Sequence, residues 1–124
     1  GTQVVIHARR GCGDLPLATA EFNLLGSTAD TAAAVATVRA EVGPSTPLLA
    51  VGLSAGSAEL VRYLGETGGD CGITAAVAIS PGYRLPDAWH RCHPLYDRII
   101  THKVKAHFLA PNTTVLGGEL PLGT

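Results

Sequence analysis

Leu49-Ala50-Val51-Gly52-Leu53-Ser54-Ala55-Gly56 is the stretch whose reading decides the fold. Residues 48–53 are apolar almost throughout, the pattern of a strand buried on both faces. From Ala55 to about Leu64 the pattern turns helical. Leu60, Val61 and Leu64 are available for its buried face, and Gly65, Gly68 and Gly69 provide the stop. Gly52, Ser54 and Gly56 stand at the junction. Small residues in that spacing fit a sharp strand-to-helix turn in which bulkier neighbours would clash.

Working outward, the upstream chain repeats the alternation. Residues 3–7 form a β-branched run that predicts a buried parallel strand. Arg9-Arg10-Gly11-Cys12-Gly13-Asp14 follows as a glycine-rich loop. Ser27 is a natural N-cap, with Asp30 three residues on as in a variant capping box. Val35, Val38 and Val42 then recur on one helical face, and Gly43-Pro44 is a stop signal.

Downstream, residues 73–80 read as a third strand closed by Pro81-Gly82. Residues 83–96, with Pro86 and Pro94, read as loop. Residues 96–109 read as a helix, and 111–124 as a tail rich in Gly, Pro and Thr. The order strand, helix, strand, helix, strand, with strands apolar on both faces, predicts an α/β fold: mostly parallel strands covered by helices. No internal repeat or low-complexity segment interrupts it.

Composition narrows the function. The chain has 124 residues, enough for one modest domain. Hydrophobic residues make up 46% and charged residues 15%, a balance that suits a packed core rather than disorder. The net charge is −1, with no basic run and no aromatic–basic interleaving, which argues against a nucleic-acid partner. No apolar run is long enough to span a bilayer, and no signal-peptide pattern opens the chain. Nothing in the pattern speaks to oligomeric state. Cys12, Cys71 and Cys92 show no CxxC spacing, so neither zinc nor a redox motif is indicated. They read as small core residues, and their odd number and wide spacing favour reduced, intracellular thiols. The chain has no Met, and residues 3–7 already read as a strand. We therefore expect it to begin inside a domain, with any targeting segment before residue 1.

The chemistry lies in Ser54. A serine hydroxyl is a weak nucleophile that needs exposure at a sharp turn, a base for its proton and donors for the oxyanion. The G-x-S-x-G pattern, a nucleophile elbow, meets the first need, with Gly52 and Gly56 removing clashes. The N-terminus of the following helix turns free N–H groups toward developing negative charge, and the backbone N–H of Ala55 is one oxyanion donor. The alternative is a small-residue turn with a buried serine.

Several segments in order resemble the YheT-like branch of the α/β-hydrolases, the AB hydrolase 4 family. They are Val4-Val5-Ile6 with Arg10-Gly11-Cys12-Gly13, the helix entry at Ser27 to Asp30, residues 49–56 with Tyr63-Leu64-Gly65-Glu66 and Gly68, and Ala75-Ala76-Val77-Ala78-Ile79-Ser80-Pro81. The resemblance covers residues 3 to about 85 and extends more loosely to Asn112. It departs where the family has Leu for Ala55, Gly-Asn for Ser57-Ala58 and Asn for Ala8. It implies a partial α/β-hydrolase fold, with residues 1–124 as part of one domain, 3–82 as its core and 83–124 as the start of the region after the third strand. It also implies a carboxylic ester hydrolase acting on acylglycerols or other lipid or short-chain esters, with no metal or cofactor. Ser54 would attack the ester, a His would carry the proton and an Asp would orient the His. In the family that Asp and His follow the serine beyond a further strand, past residue 124. The part supplying the second oxyanion donor, any membrane anchor, and the strand between residues 3–7 and the elbow strand lie before residue 1. The expectation is therefore an incomplete sheet that is unstable in isolation, or one in which residues 3–7 shift to pair with the elbow strand.

The remaining candidates read as structural. None of His7, His90, His93, His102 and His107 sits at the family's histidine position. The H-x-x-H of His90 and His93 lacks an evident third ligand, so a surface loop is the better reading. Asp30 reads as a capping residue, and Asp14, Asp70, Asp87 and Asp97 as loop or helix-start residues. Gly11-Cys12-Gly13 lacks both G-x-x-x-x-G-K-[ST] and a well-placed G-x-G-x-x-G, so it reads as a tight turn, with Arg9 and Arg10 bracing the loop or facing solvent. A non-catalytic α/β module is the competing function.

Overall fold

Two short parallel strands, with the serine turn at the end of the first, organise the first part of the structure. The computed structural model describes residues 1–12, 15–22 and 26–117, apart from the side chains of Leu85 and Pro86. Helix α1 (Thr28–Val42) leads to strand β1 (Leu49–Leu53), helix α2 (Ala55–Thr67) and strand β2 (Ala75–Ile79). Helices α3 (Leu85–Trp89) and α4 (Pro94–Val104) follow. The chain divides into two compact units: Gly1–His7 with Asn23–Tyr83, and Ala8–Phe22 with the chain from Arg84 onward.

In the first unit β1 and β2 pair in parallel, with Leu49 opposite Ala75, Val51 opposite Val77 and Leu53 opposite Ile79. The fold is α/β. The small residues of β1 are what bring α2 close. Gly52 is buried, and α2 sets Ser57, Leu60 and Tyr63 inward. α2 runs through Gly65 and ends at Thr67, three residues beyond the expected stop, with Gly68 at φ 57° taking the cap. A mid-helix glycine weakens a helix by only about 1 kcal/mol. Tyr63 donates its hydroxyl proton to the Cys71 carbonyl at 2.7 Å, fastening the end of α2 to the loop that enters β2. Cys71 is buried beside it, as expected of a small core residue, whereas Cys12 and Cys92 are only half-buried.

Helix α1 starts at the expected cap, but not by the expected bond. Ser27 is extended and its side chain caps nothing; its carbonyl instead accepts from the N–H groups of Asp30 at 2.9 Å and Thr31 at 3.1 Å. Val35, Val38 and Val42 are half-buried, as their spacing predicts. At the other end Arg39 gathers the loop, donating to the carbonyls of Gly72, Gly43 and Thr46.

Two expectations for the sheet are corrected. Residues 3–7 form no strand, and Val4, Val5 and Ile6 are exposed. Extended backbone becomes a strand only through a ladder of hydrogen bonds, and the two-stranded sheet of β1 and β2 offers this run none. The sheet is also not covered on both faces. Leu49, Val51, Leu53, Val77 and Ile79 share the face away from α2 and are 47–70% exposed.

In the second unit the segment expected to be loop, residues 83–96, contains α3 and the first turn of α4. The prolines prompted that reading, but Pro94 sits in the first turn of α4, where a missing N–H costs nothing. The helix expected over 96–109 is present and longer. After α4 the coil continues as a π turn over Lys105–Leu109 and a 3₁₀ turn over Ala110–Asn112. Phe108 and Leu17 form this unit's apolar centre, with Phe22 5.1 Å from Phe108 between ring centroids.

Candidate functional site

The turn between β1 and α2 holds Ser54 in a conformation that side chains avoid. Its φ is 50° and its ψ −117°. A non-glycine residue there costs about 1–3 kcal/mol and persists only where its surroundings hold it. Four hydrogen bonds do so. The Ser54 N–H donates to the Ile79 carbonyl at 3.0 Å, extending the β1–β2 ladder to the turn itself. The Ser54 carbonyl accepts from the N–H groups of Ser57 at 3.0 Å and Ala58 at 3.2 Å. It also accepts from the Ser57 hydroxyl at 2.5 Å. Ser54 is exposed at the N-cap of α2, where the helix presents its positive end.

The two glycines of the pattern do different work. A Cβ on Gly52 would stand 2.6 Å from the Ser57 Cα and 2.7 Å from the Gly56 carbonyl oxygen. Such atoms belong to backbone and cannot give way, so position 52 is closed to side chains. Gly56 faces open space, with nothing within 4 Å of an added Cβ. The crowded side of the turn is thus at Gly52. At 56 the chain is already turning as helix and points outward.

The unit that carries Ser54 also contains His7. Its Nε2 lies 3.9 Å from the Glu59 carboxylate, one turn along α2 from the elbow. Glu59 in turn accepts from the Thr31 hydroxyl at 2.6 Å, which ties α1 to α2. Among the described residues, no histidine nitrogen bonds to the Ser54 hydroxyl. Sequence reasoning missed Glu59 and Ser57. No local signal marks either residue: Glu59 meets Thr31 of α1, and Ser57 meets the Ser54 carbonyl.

Several of the other candidates take structural roles. His93 Nδ1 accepts from the Leu95 N–H at 3.2 Å and so caps α4. Asp87 pairs with Arg84 at 2.8 Å. No group of three or more metal-ligating side chains occurs among the described residues. The glycine-rich loop closes as a tight turn, with Gly11 at φ 76° and its N–H on the Leu15 carbonyl at 2.8 Å. Arg9 donates to Cys12 Sγ and Arg10 to the Glu21 carbonyl, so both brace the loop. Gly13 and Asp14 lie outside the described residues. Asn112 is buried beneath this turn, accepting from the Leu17 N–H at 2.9 Å and donating to the Gly11 and Phe108 carbonyls. No described helix is long and apolar enough to cross a membrane.

No protein-family model matches the chain, and no solved structure matches it. Among curated proteins, it is 32% identical over 114 residues to the Embryogenesis-associated protein EMB8 of Picea glauca, across 87% of this chain and 25% of that protein. It is 39% identical over 107 residues to Protein ABHD15 of Homo sapiens, across 80% of this chain and 23% of that one. The chain spans about a quarter of the length of these relatives.

Proposed function

We propose that Ser54 is the nucleophile of a serine ester hydrolase of the α/β-hydrolase superfamily, in its YheT-like branch. In this reading residues 1–124 belong to one hydrolase domain, with 3–82 as core. The observation that carries it is the exposed Ser54 at φ 50° between a parallel strand and a helix, with Gly52 closed to any side chain. The similarity to Protein ABHD15 supports the superfamily.

The substrate is a carboxylic ester, an acylglycerol or another lipid or short-chain ester. Ser54 Oγ bonds to the ester carbonyl carbon as its proton passes to a histidine, and the carbonyl oxygen takes the negative charge. The Ala55 N–H donates to that oxygen. Collapse breaks the bond to the alcohol, which leaves with the histidine's proton, and water then releases the acid. In the branch that the chain resembles, the histidine and its orienting aspartate follow the serine beyond a further strand. Without that pair to activate the serine, the 124 residues alone are expected to show negligible turnover.

A fluorophosphonate probe tests the assignment on the full-length product. Wild type is expected to label and Ser54→Ala to remain dark; equal labelling of the two, or none of the wild type, overturns it. A second reading is a non-catalytic α/β module. A coding sequence with no aspartate and histidine downstream would select it.

A further inference from the structure

We propose that Ser57 is a positioning residue that aims the Ala55 N–H at the reacting carbonyl oxygen. The proposal rests on Ser54 as nucleophile and concerns what holds its oxyanion donor in place.

The argument starts from one peptide plane. No peptide bond among the described residues is cis, so the Ser54 carbonyl and the Ala55 N–H point in opposite directions. Whatever fixes the carbonyl fixes the N–H. The Ser54 carbonyl points into the first turn of α2, where the Ser57 and Ala58 N–H groups and the Ser57 hydroxyl converge on it. The Ala55 N–H is thereby turned away from the helix. Ser57 has no solvent exposure, so its hydroxyl has no water to exchange with. Its backbone lies close against Gly52, where no side chain fits, so the residue itself sits tightly between β1 and α2.

The third donor matters because the plane is strained. Ser54 at φ 50° and ψ −117° tends to rotate toward a commoner conformation, and rotation about ψ swings the Ala55 N–H off target. Two backbone donors alone hold the carbonyl as any helix start would. The hydroxyl adds a third donor, at 2.5 Å. Ser57 itself touches neither substrate nor the reacting atoms.

Two measurements test this. In the full-length product, Ser57→Ala is expected to lower kcat for p-nitrophenyl butyrate about tenfold with KM unchanged, a fraction of what loss of a whole oxyanion donor costs. Ser57→Cys, which keeps the side-chain shape at a somewhat larger volume and donates weakly, should fall between Ser57→Ala and wild type. Independently, the 124-residue chain carrying 13C-carbonyl serine and 15N-alanine reports its two Ser-Ala peptides, 54–55 and 57–58. Ser57→Ala removes the second and leaves the elbow peptide alone. Its carbonyl signal should shift upfield as a hydrogen bond is lost, and its amide signal should broaden. Wild-type kcat in Ser57→Ala, or an unmoved elbow signal, overturns the proposal while leaving Ser54 as nucleophile. If wild type and Ser54→Ala react alike, the hydrolase reading fails, and the peptide signal still decides whether Ser57 holds the plane.

Discussion

Gly52 and Ser57 meet backbone to backbone: a Cβ on Gly52 would stand 2.6 Å from the Ser57 Cα. Gly52→Ala must therefore push β1 and α2 apart or distort the turn. We expect a loss of about 3 kcal/mol, at the upper end for overpacking because no flexible side chain is there to yield. Gly56→Ala is the control. Its Cβ enters open space in a helix, so the change should be neutral or stabilising by up to about 1 kcal/mol. Urea midpoints at constant m value measure both. Equal effects at the two positions would refute the geometry.

This asymmetry marks what the sequence could and could not reveal. The turn, α2's start at Ala55 and the strand over 75–79 follow from local signals: an apolar run, a glycine-flanked serine, another apolar run. The clash at Gly52 and the freedom at Gly56 depend on which atoms come near, which a motif does not specify. The same limit explains residues 3–7. Val4, Val5 and Ile6 have strand propensity, but a strand also needs a partner, and propensity does not name one. The Pro94 region failed differently. Proline reads equally as loop punctuation and as the first turn of a helix, and only the His93 cap distinguishes them. Glu59 and Ser57 were illegible because their roles come from α1 and from the elbow carbonyl respectively.

Alkaline pH should loosen the end of α2 through Tyr63. Burial pushes the phenol above its usual range; Cys71 adds to this, and a Thr67 side-chain hydrogen bond opposes it. A folded value above the unfolded one means that the folded state holds the proton longer. The stabilisation is therefore complete below pH 10.0, the ordinary value, and is lost as pH rises from there through the folded value. Tyr63→Phe should remove this alkaline slope and cost about 1 kcal/mol at neutral pH, since the buried Cys71 carbonyl loses its donor. Melting temperatures of both proteins from pH 8 to about 11 check it. An identical slope in the variant would assign the loss elsewhere.

Asn112 should be the least replaceable polar side chain of the second unit. Asn112→Ala strands the Leu17 N–H and the Gly11 carbonyl beneath the glycine-rich turn. Unsatisfied buried groups cost about 1–3 kcal/mol each, so a loss of about 2 kcal/mol or more is expected. Asn112→Asp keeps the acceptor for Leu17 but sets a carboxylate against the Gly11 and Phe108 carbonyls, and it should recover little. Hydrogen exchange at the Leu17 amide reads this directly. Unchanged protection in Asn112→Ala would show that the bond carries no weight.

The open sheet face should govern solubility of the 124-residue chain. Val51 and Val77 lie opposite each other in register and are more than half exposed. A contiguous apolar face beside an unpaired strand edge favours self-association. Val51→Thr with Val77→Thr keeps β-branched shape and should lower light scattering at a given concentration, while stability changes by no more than about 0.5 kcal/mol. Scattering that stays as high as in the parent chain would place the association elsewhere.

The strain at Ser54 should be measurable apart from any chemistry. Ser54→Ala removes the hydroxyl but keeps a Cβ at φ 50°, so it retains the backbone cost. Ser54→Gly removes both. Glycine loses more entropy on folding, which opposes the gain, but it occupies positive φ without steric penalty. The difference between the two variants therefore isolates the conformational term. We expect Ser54→Gly to be about 1 kcal/mol more stable than Ser54→Ala, with the Ile79 carbonyl still accepting from residue 54 in both. Such a gain fits a residue held in an unfavourable conformation for the sake of its side chain, since stability and activity trade against each other at strained sites. If Ser54→Gly proves the less stable of the two, the turn stores no strain, and its backbone ceases to be an argument for the nucleophile.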